Sequence, residues 1–273
     1  MCDRGTLIKA FSEVHVIGKL RELLLRNLDS LPLTDLYLTH PVLKSKIYGS
    51  SFKPVILEFL KKHDIEEICS LVNSAALTVI TYIIMGEKPN LVHEVLEWIR
   101  KQRLDDGGWH WKSRREKPEK SEAWSTALVL ASFRTARVHI DYNTIVEFLK
   151  INWESNRWNG FPEVTLIYLS YAGHNKNDKL LQKPVEYLLE TQLKNGAWPG
   201  YSLKTVKGGI FRTCVILNAL TSLGFTIDDE VILKGLKFVK KKLQKILNAK
   251  WSGILVQALG GLASTLLVLS IEE

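Results

Sequence analysis

The chain has 273 residues, 46% hydrophobic and 24% charged, with 37 Lys and Arg against 29 Asp and Glu for a formal charge of +8. That composition excludes a disordered or low-complexity chain and suffices for one large domain or two small ones. The cysteines, Cys2, Cys69 and Cys214, are few, odd in number and far apart, which excludes a disulfide framework or zinc ribbon and fits a reducing, cytoplasmic compartment.

The first residues, MCDRGTLIKAFSEVHVIGK, lack a continuous apolar run and do not read as a secretory signal. Beyond them the pattern is helical throughout. Apolar residues recur at helical spacing, no segment alternates like a strand, and Pro and Gly fall between the helical runs. The expected helices, in chain order, are 6–28, 33–47, 52–62, 65–86, 89–104, 121–136, 142–153, 162–173, 179–194, 207–224, 228–248 and 254–271. Residues 68–86 and 252–271 are uncharged and about long enough to cross a bilayer. Polar residues in the first, such as Asn73, Ser74, Thr78 and Thr81, favour a helix enclosed by other helices.

The helices alternate in kind. Those at 89–104, 142–153, 179–194 and 228–248 are amphipathic and charged, whereas 65–86, 121–136, 162–173, 207–224 and 254–271 are nearly uncharged. An outer helix faces water on one side and an inner helix does not, so alternation is what a closed ring of helical hairpins requires. A repeat accompanies it. Each outer helix closes with an aromatic-aliphatic pair (Trp98-Ile99, Phe148-Leu149, Tyr187-Leu188, Phe238-Val239). A turn with Gly and an aromatic follows: GGW at 107–109, WNGF at 158–161, NGAW at 195–198 and WSG at 251–253. The spacing, roughly 40 to 50 residues, is one helix pair. The repeat is clear after residue 88 and faint before it, so 1–50 are N-terminal helices of uncertain register within a single domain, 1–273.

In TQLKNGAWPG, Gly196 supplies the left-handed residue that stops a helix, Trp198 folds back as a wedge, and the Gln192 amide holds the turn. This is a structural staple. Q-x(3)-G-x-W after Tyr187-Leu188 resembles the QW motif of the terpene cyclase and protein prenyltransferase superfamily. Gln102 to Trp109 is a second copy of slightly different spacing. The copies at 148–161 and 238–253 are degenerate, with Trp153 or lysine-rich sequence where Gln would stand. The resemblance covers roughly residues 60–271. It implies an all-α fold, an (α/α)6 toroid whose inner helices line an apolar, aromatic-rich cavity for an isoprenoid chain.

The family's cyclases carry a DxDDTA motif at the start of an inner helix. Here SEAWSTAL keeps Thr126-Ala127 but places Trp124 at the middle-Asp position and Glu122 at the first. GFPEVTLIYL keeps Thr165 and places Glu163 at the middle position, and GGIFRTCVIL places Phe211 there. The family's zinc ligands are not reproduced either. Cys214 stands early in an inner helix, but Arg212 precedes it where Asp would be, and no His follows in 254–271. No metal and no cofactor are expected.

Two readings stand for Glu163 and Glu122: acids that protonate an isoprenoid, or first-turn residues favoured at a helix N-terminus. The aromatics Trp109, Trp124, Trp198, Tyr201 and Phe211 are candidates to face a carbocation, with Trp124 and Phe211 ahead of the others, which also read as staples. Lys112, Arg114 and Arg115 form a basic loop that holds an anionic head group or is merely solvated. The basic stretch 234–250 suits peripheral contact with an anionic membrane or, again, solvation. No nucleic-acid motif accompanies the positive charge, and no such partner is expected. The leading function is binding, with acid-initiated cyclisation, of a long isoprenoid; the rival is a non-catalytic lipid-binding or protein-interaction toroid. A carbohydrate enzyme would need Glu122 and Glu163 to face each other across the cavity.

Overall fold

The computed structural model describes residues 4–12, 15–116, 118–154, 161–200, 209–248 and 254–269. The described residues are all-α, with one isolated antiparallel bridge between Leu71 and Lys112. The N-terminal helices are Arg4–Ser12 (α1), Val16–Asn27 (α2), His40–Lys44 (α3), Gly49–Lys61 (α4) and Ile65–Ile68 (α5). Pairs of helices follow: Val72–Ile84 (α6), Asn90–Lys101 (α7), Ala123–Thr135 (α8), Tyr142–Glu154 (α9), Pro162–Tyr171 (α10) and Gln182–Glu190 (α11). The series closes with Ile210–Ser222 (α12), Glu230–Lys240 (α13), Leu243–Leu247 (α14) and Ile254–Val268 (α15).

Four expected helices are broken, each for a local reason. His15, at φ 46°, stands in the left-handed region between α1 and α2 and divides 6–28. Residues 33–47 divide into a 3-10 segment, Leu33–Thr39, and α3, which carries Pro41 in its first turn. Asp64 caps α5 by accepting from the Glu67 amide at 2.9 Å. Leu71 then runs extended to bridge Lys112, so α6 starts afresh at Val72. In 228–248 the chain turns after Lys240 and resumes as α14, so the basic stretch is not one continuous membrane-facing helix.

Charge pattern decides position. Along α7, Val92, Val95, Leu96 and Ile99 are buried, the i, i+3, i+4, i+7 stripe of a helix with one wet face. In α6 every residue from Val72 to Tyr82 is buried; each large aliphatic side chain so covered contributes about 1.5–3 kcal/mol. The uncharged helices pack successively, α6 on α8, α8 on α10, α10 on α12 and α12 on α15. Helix α15 packs on α2 and α3, and α6 packs on α3 and on the 3-10 segment 33–39. Amphipathic helices lie against this series: α7 on α6 and α8, α9 on α8, α11 on α10, α13 on α12 and α14 on α15. At the α12–α15 contact, a Cβ on Gly261 would stand 3.0 Å from the Cys214 carbonyl oxygen, tighter than ordinary van der Waals contact, so glycine eases the close approach of the two helices. Among the described residues, no helix is long and apolar enough to cross a membrane; α6 has 13 residues and α15 has 15.

Candidate functional site

The staples come first because they set the inner helices in place. Trp198 is fully buried, and its indole Nε1 donates to the Leu188 carbonyl at 2.6 Å. Its backbone N–H donates to the Thr213 hydroxyl at 3.1 Å, tying the turn to α12. Trp109 repeats both bonds, to the Ile99 carbonyl at 2.8 Å and the Thr126 hydroxyl at 2.9 Å, tying its turn to α8. Both tryptophans are thus held where these turns meet the helices, and neither borders the cavity that Trp124 and Phe211 line. The Gln192 amide donates to the Gly196 carbonyl at 3.1 Å and to the Val231 carbonyl at 2.9 Å. In the earlier turn the corresponding donor is Arg103, whose Nε reaches the Gly107 carbonyl at 3.0 Å, while the Gln102 amide donates back to the Trp98 carbonyl at 3.4 Å. The second copy is thus in register with the first once Arg103 replaces Gln102.

With the turns fixed, Trp124 and Phe211 stand two residues before Thr126 and Thr213, and both border a cavity of about 410 Å³. That volume lies within the roughly 300–1,000 Å³ of small-molecule sites. Its wall draws on the 3-10 segment 33–39 and on α6, α8, α10, α12 and α15. Besides Trp124 and Phe211, the aromatic part of the wall is Tyr37, Phe161, Tyr168 and Tyr171, with Leu77, Val164, Ile167 and Val215 as the aliphatic part. Asn73, Asn218, Gln257 and Ser264 add separate polar points.

The two glutamates are elsewhere. Glu163 is fully buried but forms an ion pair with Arg212, Oε1 to Nε 3.3 Å, and Arg212 also donates to the Pro199 carbonyl at 3.2 Å. The guanidinium thus occupies one of the two carboxyl oxygens of Glu163. Glu122 is the residue before α8, and its carboxylate accepts from Ser125 at 3.2 Å and lies 3.9 Å from His110. Neither glutamate borders the cavity, so they do not face each other across it, as a glycosidase pair would have to.

The acid at the wall is Asp35, which the sequence did not single out. It follows Pro32 and Leu33 on the 3-10 segment, where it reads as an ordinary surface residue of a helix. Desolvation pushes its carboxyl above the usual carboxylate range. Tyr37 and Tyr168 lie close enough that its charge raises both of their phenols further, beyond the large effect of burial.

The basic loop is away from this wall. Lys112 pairs with Glu116 at 3.1 Å, stands 5.1 Å from the Trp111 ring centroid and shares the bridge with Leu71; Arg114 begins a 3-10 turn, Arg114–Glu116, in which Arg115 is exposed. Neither Lys112 nor Arg115 borders the cavity, and the side chain of Arg114 lies outside the described residues. Tyr201, most of the WNGF turn and the WSG turn lie outside the described residues. Cys214 is fully buried and burial pushes its thiol up. Among the described residues no three of His, Cys, Asp and Glu lie together as a metal site. No protein-family model and no curated protein matches the chain.

Proposed function

We propose that this chain is a lipid-binding α/α toroid of the terpene cyclase and prenyltransferase kind, which takes an isoprenoid or similar hydrocarbon chain into its central cavity. The observation that carries the reading is the aromatic and aliphatic cavity bordered by all of α6, α8, α10, α12 and α15. The cyclic order of contacts, from α6 through α15 and back by α2, α3 and the segment 33–39, supports the toroid. An apolar wall with scattered polar points binds an apolar body and fixes its orientation. Binding is favoured over cyclisation because Glu163 and Glu122 lie off the wall. Acid-initiated carbocation chemistry, the second reading, would have to begin at Asp35, the acid that does border it.

The test is titration of the full chain with farnesol and geranylgeraniol, followed by tryptophan emission, since Trp124 is at the wall. Mass spectrometry of extracts of the purified protein runs beside it. Saturable binding that Val215→Trp abolishes by filling the cavity is the expected result. Binding unaffected by Val215→Trp, or no binding of either alcohol, would overturn the proposal.

A further inference from the structure

We infer that the cavity selects a lipophilic cation: a hydrocarbon chain bearing one ammonium group, held by the Asp35 carboxylate and the faces of the surrounding aromatic rings. The inference rests on the reading of the cavity as a hydrocarbon site and names the charge of its ligand.

Three observations converge. First, Asp35 is the one charged residue among the described residues of the wall, and no lysine, arginine or histidine of the described residues pairs with it. Asp35 is half-buried; withdrawing a carboxylate from water in part, without a counter-charge, carries a share of the cost of burying it, and this desolvation raises its carboxyl. A ligand carrying the missing positive charge removes that cost; a neutral terpene does not. Second, six aromatic rings border the same space: Tyr37, Trp124, Phe161, Tyr168, Tyr171 and Phe211. Ring faces attract an organic cation within about 6 Å of their centroids, most strongly where water is excluded. The exposed Lys44 ammonium, in an adjoining pocket that shares Tyr171, Asn218 and Ser264 with this wall, already lies 4.2 Å from the Tyr171 centroid. Third, Asn73, buried and on the wall, has its Oδ1 without a hydrogen-bond partner. A carbonyl oxygen is an acceptor, and because this one has no surface open to a water-sized probe, an ammonium N–H reaches it only once the amide turns toward the cavity. The carboxylate and the π faces are negative ends that disfavour an anionic head group, and the Asn, Gln, Ser, Thr and Tyr donors of the wall carry no charge to offset them.

The experiment is calorimetric titration of the full chain with decylammonium, decanol and decanoate, all below their micelle concentrations at pH 7, on the wild type and on Asp35→Asn. Decylammonium is expected to bind at least tenfold more tightly than decanol, and decanoate more weakly than either. In Asp35→Asn the advantage of decylammonium should fall to threefold or less while decanol binds as before, which shows the variant is folded. Equal binding of decylammonium and decanol, tighter binding of decanoate, or an advantage that survives Asp35→Asn would overturn the inference and leave the hydrocarbon site standing. Failure of all three probes to bind would overturn both.

Discussion

Trp198 reaches back ten residues to donate its indole N–H to the Leu188 carbonyl at 2.6 Å, and the bond joins the end of α11 to the turn that leads towards α12. Trp109 and Ile99 make the same connection between α7 and α8. The indole thus satisfies one of the carbonyls that a helix leaves open at its C-terminus, and its ring fills the wedge between the helices.

Trp198→Phe keeps a ring in the wedge and leaves the Leu188 carbonyl without that donor. The expected loss is about 1–3 kcal/mol of unfolding free energy, read from urea denaturation. An unchanged midpoint would show that the bond does not hold the turn.

Gly196 and Arg137 form a contrasting pair. Gly196 has φ 88°, and a Cβ there would stand 2.2 Å from the Lys234 carbonyl oxygen. Gly196→Ala is therefore expected to cost about 2–5 kcal/mol, from left-handed strain and from a clash with backbone that cannot rotate away. Arg137, exposed and at φ 57°, ends α8 in the place that Gly86, Gly173 and Gly224 take after α6, α10 and α12. Arg137→Gly should stabilise the protein by about 0.5–1 kcal/mol, because the strain relieved exceeds the chain entropy lost. A thermal melt of each variant separates the two expectations by sign.

His40 sets an acid limit on stability. Its Nε2 lies 3.0 Å from the Thr81 hydroxyl, and that hydroxyl gives its own proton to the Leu77 carbonyl, so Nε2 is the donor. Nδ1 is buried without a partner, and burial, helped by Lys44, brings the imidazole down to about 3. Between that value and the ordinary pKa of about 6.5, the unfolded chain binds a proton that the folded chain refuses, so stability falls as pH falls. The expected slope is roughly 1.4 kcal/mol per pH unit below about pH 6, measured as the urea midpoint from pH 7 to 5. His40→Gln should flatten that slope; an equally steep slope in the variant would place its origin in another group.

Asp35 acts in the opposite sense. Its folded carboxyl is raised above its unfolded value, so its contribution to stability is present at low pH and is lost as pH rises through the folded pKa. Partial desolvation opposes the charged form, so Asp35→Asn is expected to raise the thermal midpoint at pH 7. A lowered midpoint at pH 7 would mean that Asp35 supports the fold and does not strain it.

Periodicity and charge made the helices and their two kinds legible in the sequence, since a helix buried on every side must be uncharged and one with a wet face must carry a stripe. The staple was equally legible at 192–198, because a glycine at positive φ and an indole at fixed spacing are demands of local geometry. Its second copy was found in the wrong register. Gln102 looked right by residue type, yet Arg103 reaches the Gly107 carbonyl, and which of two adjacent side chains faces a turn depends on the helix end. The break in 65–86 was hidden because the bridge from Leu71 to Lys112 joins residues far apart in the chain, and the break in 6–28 because its left-handed residue is His15 and not a glycine.

Sequence alone determined that this chain is all-helical, which helices are uncharged, and that Trp124 and Phe211 stand at the start of two of these; these follow from interactions within a few residues. Only the tertiary structure decided what the enclosed space is made of. It paired Glu163 with Arg212, 49 residues away, and so removed the favoured acid from the cavity wall. It also brought Asp35, from a segment with no repeat at all, against Tyr168 of α10. Burial and counter-charge are properties of neighbours in space, and they decide what a carboxyl group can do.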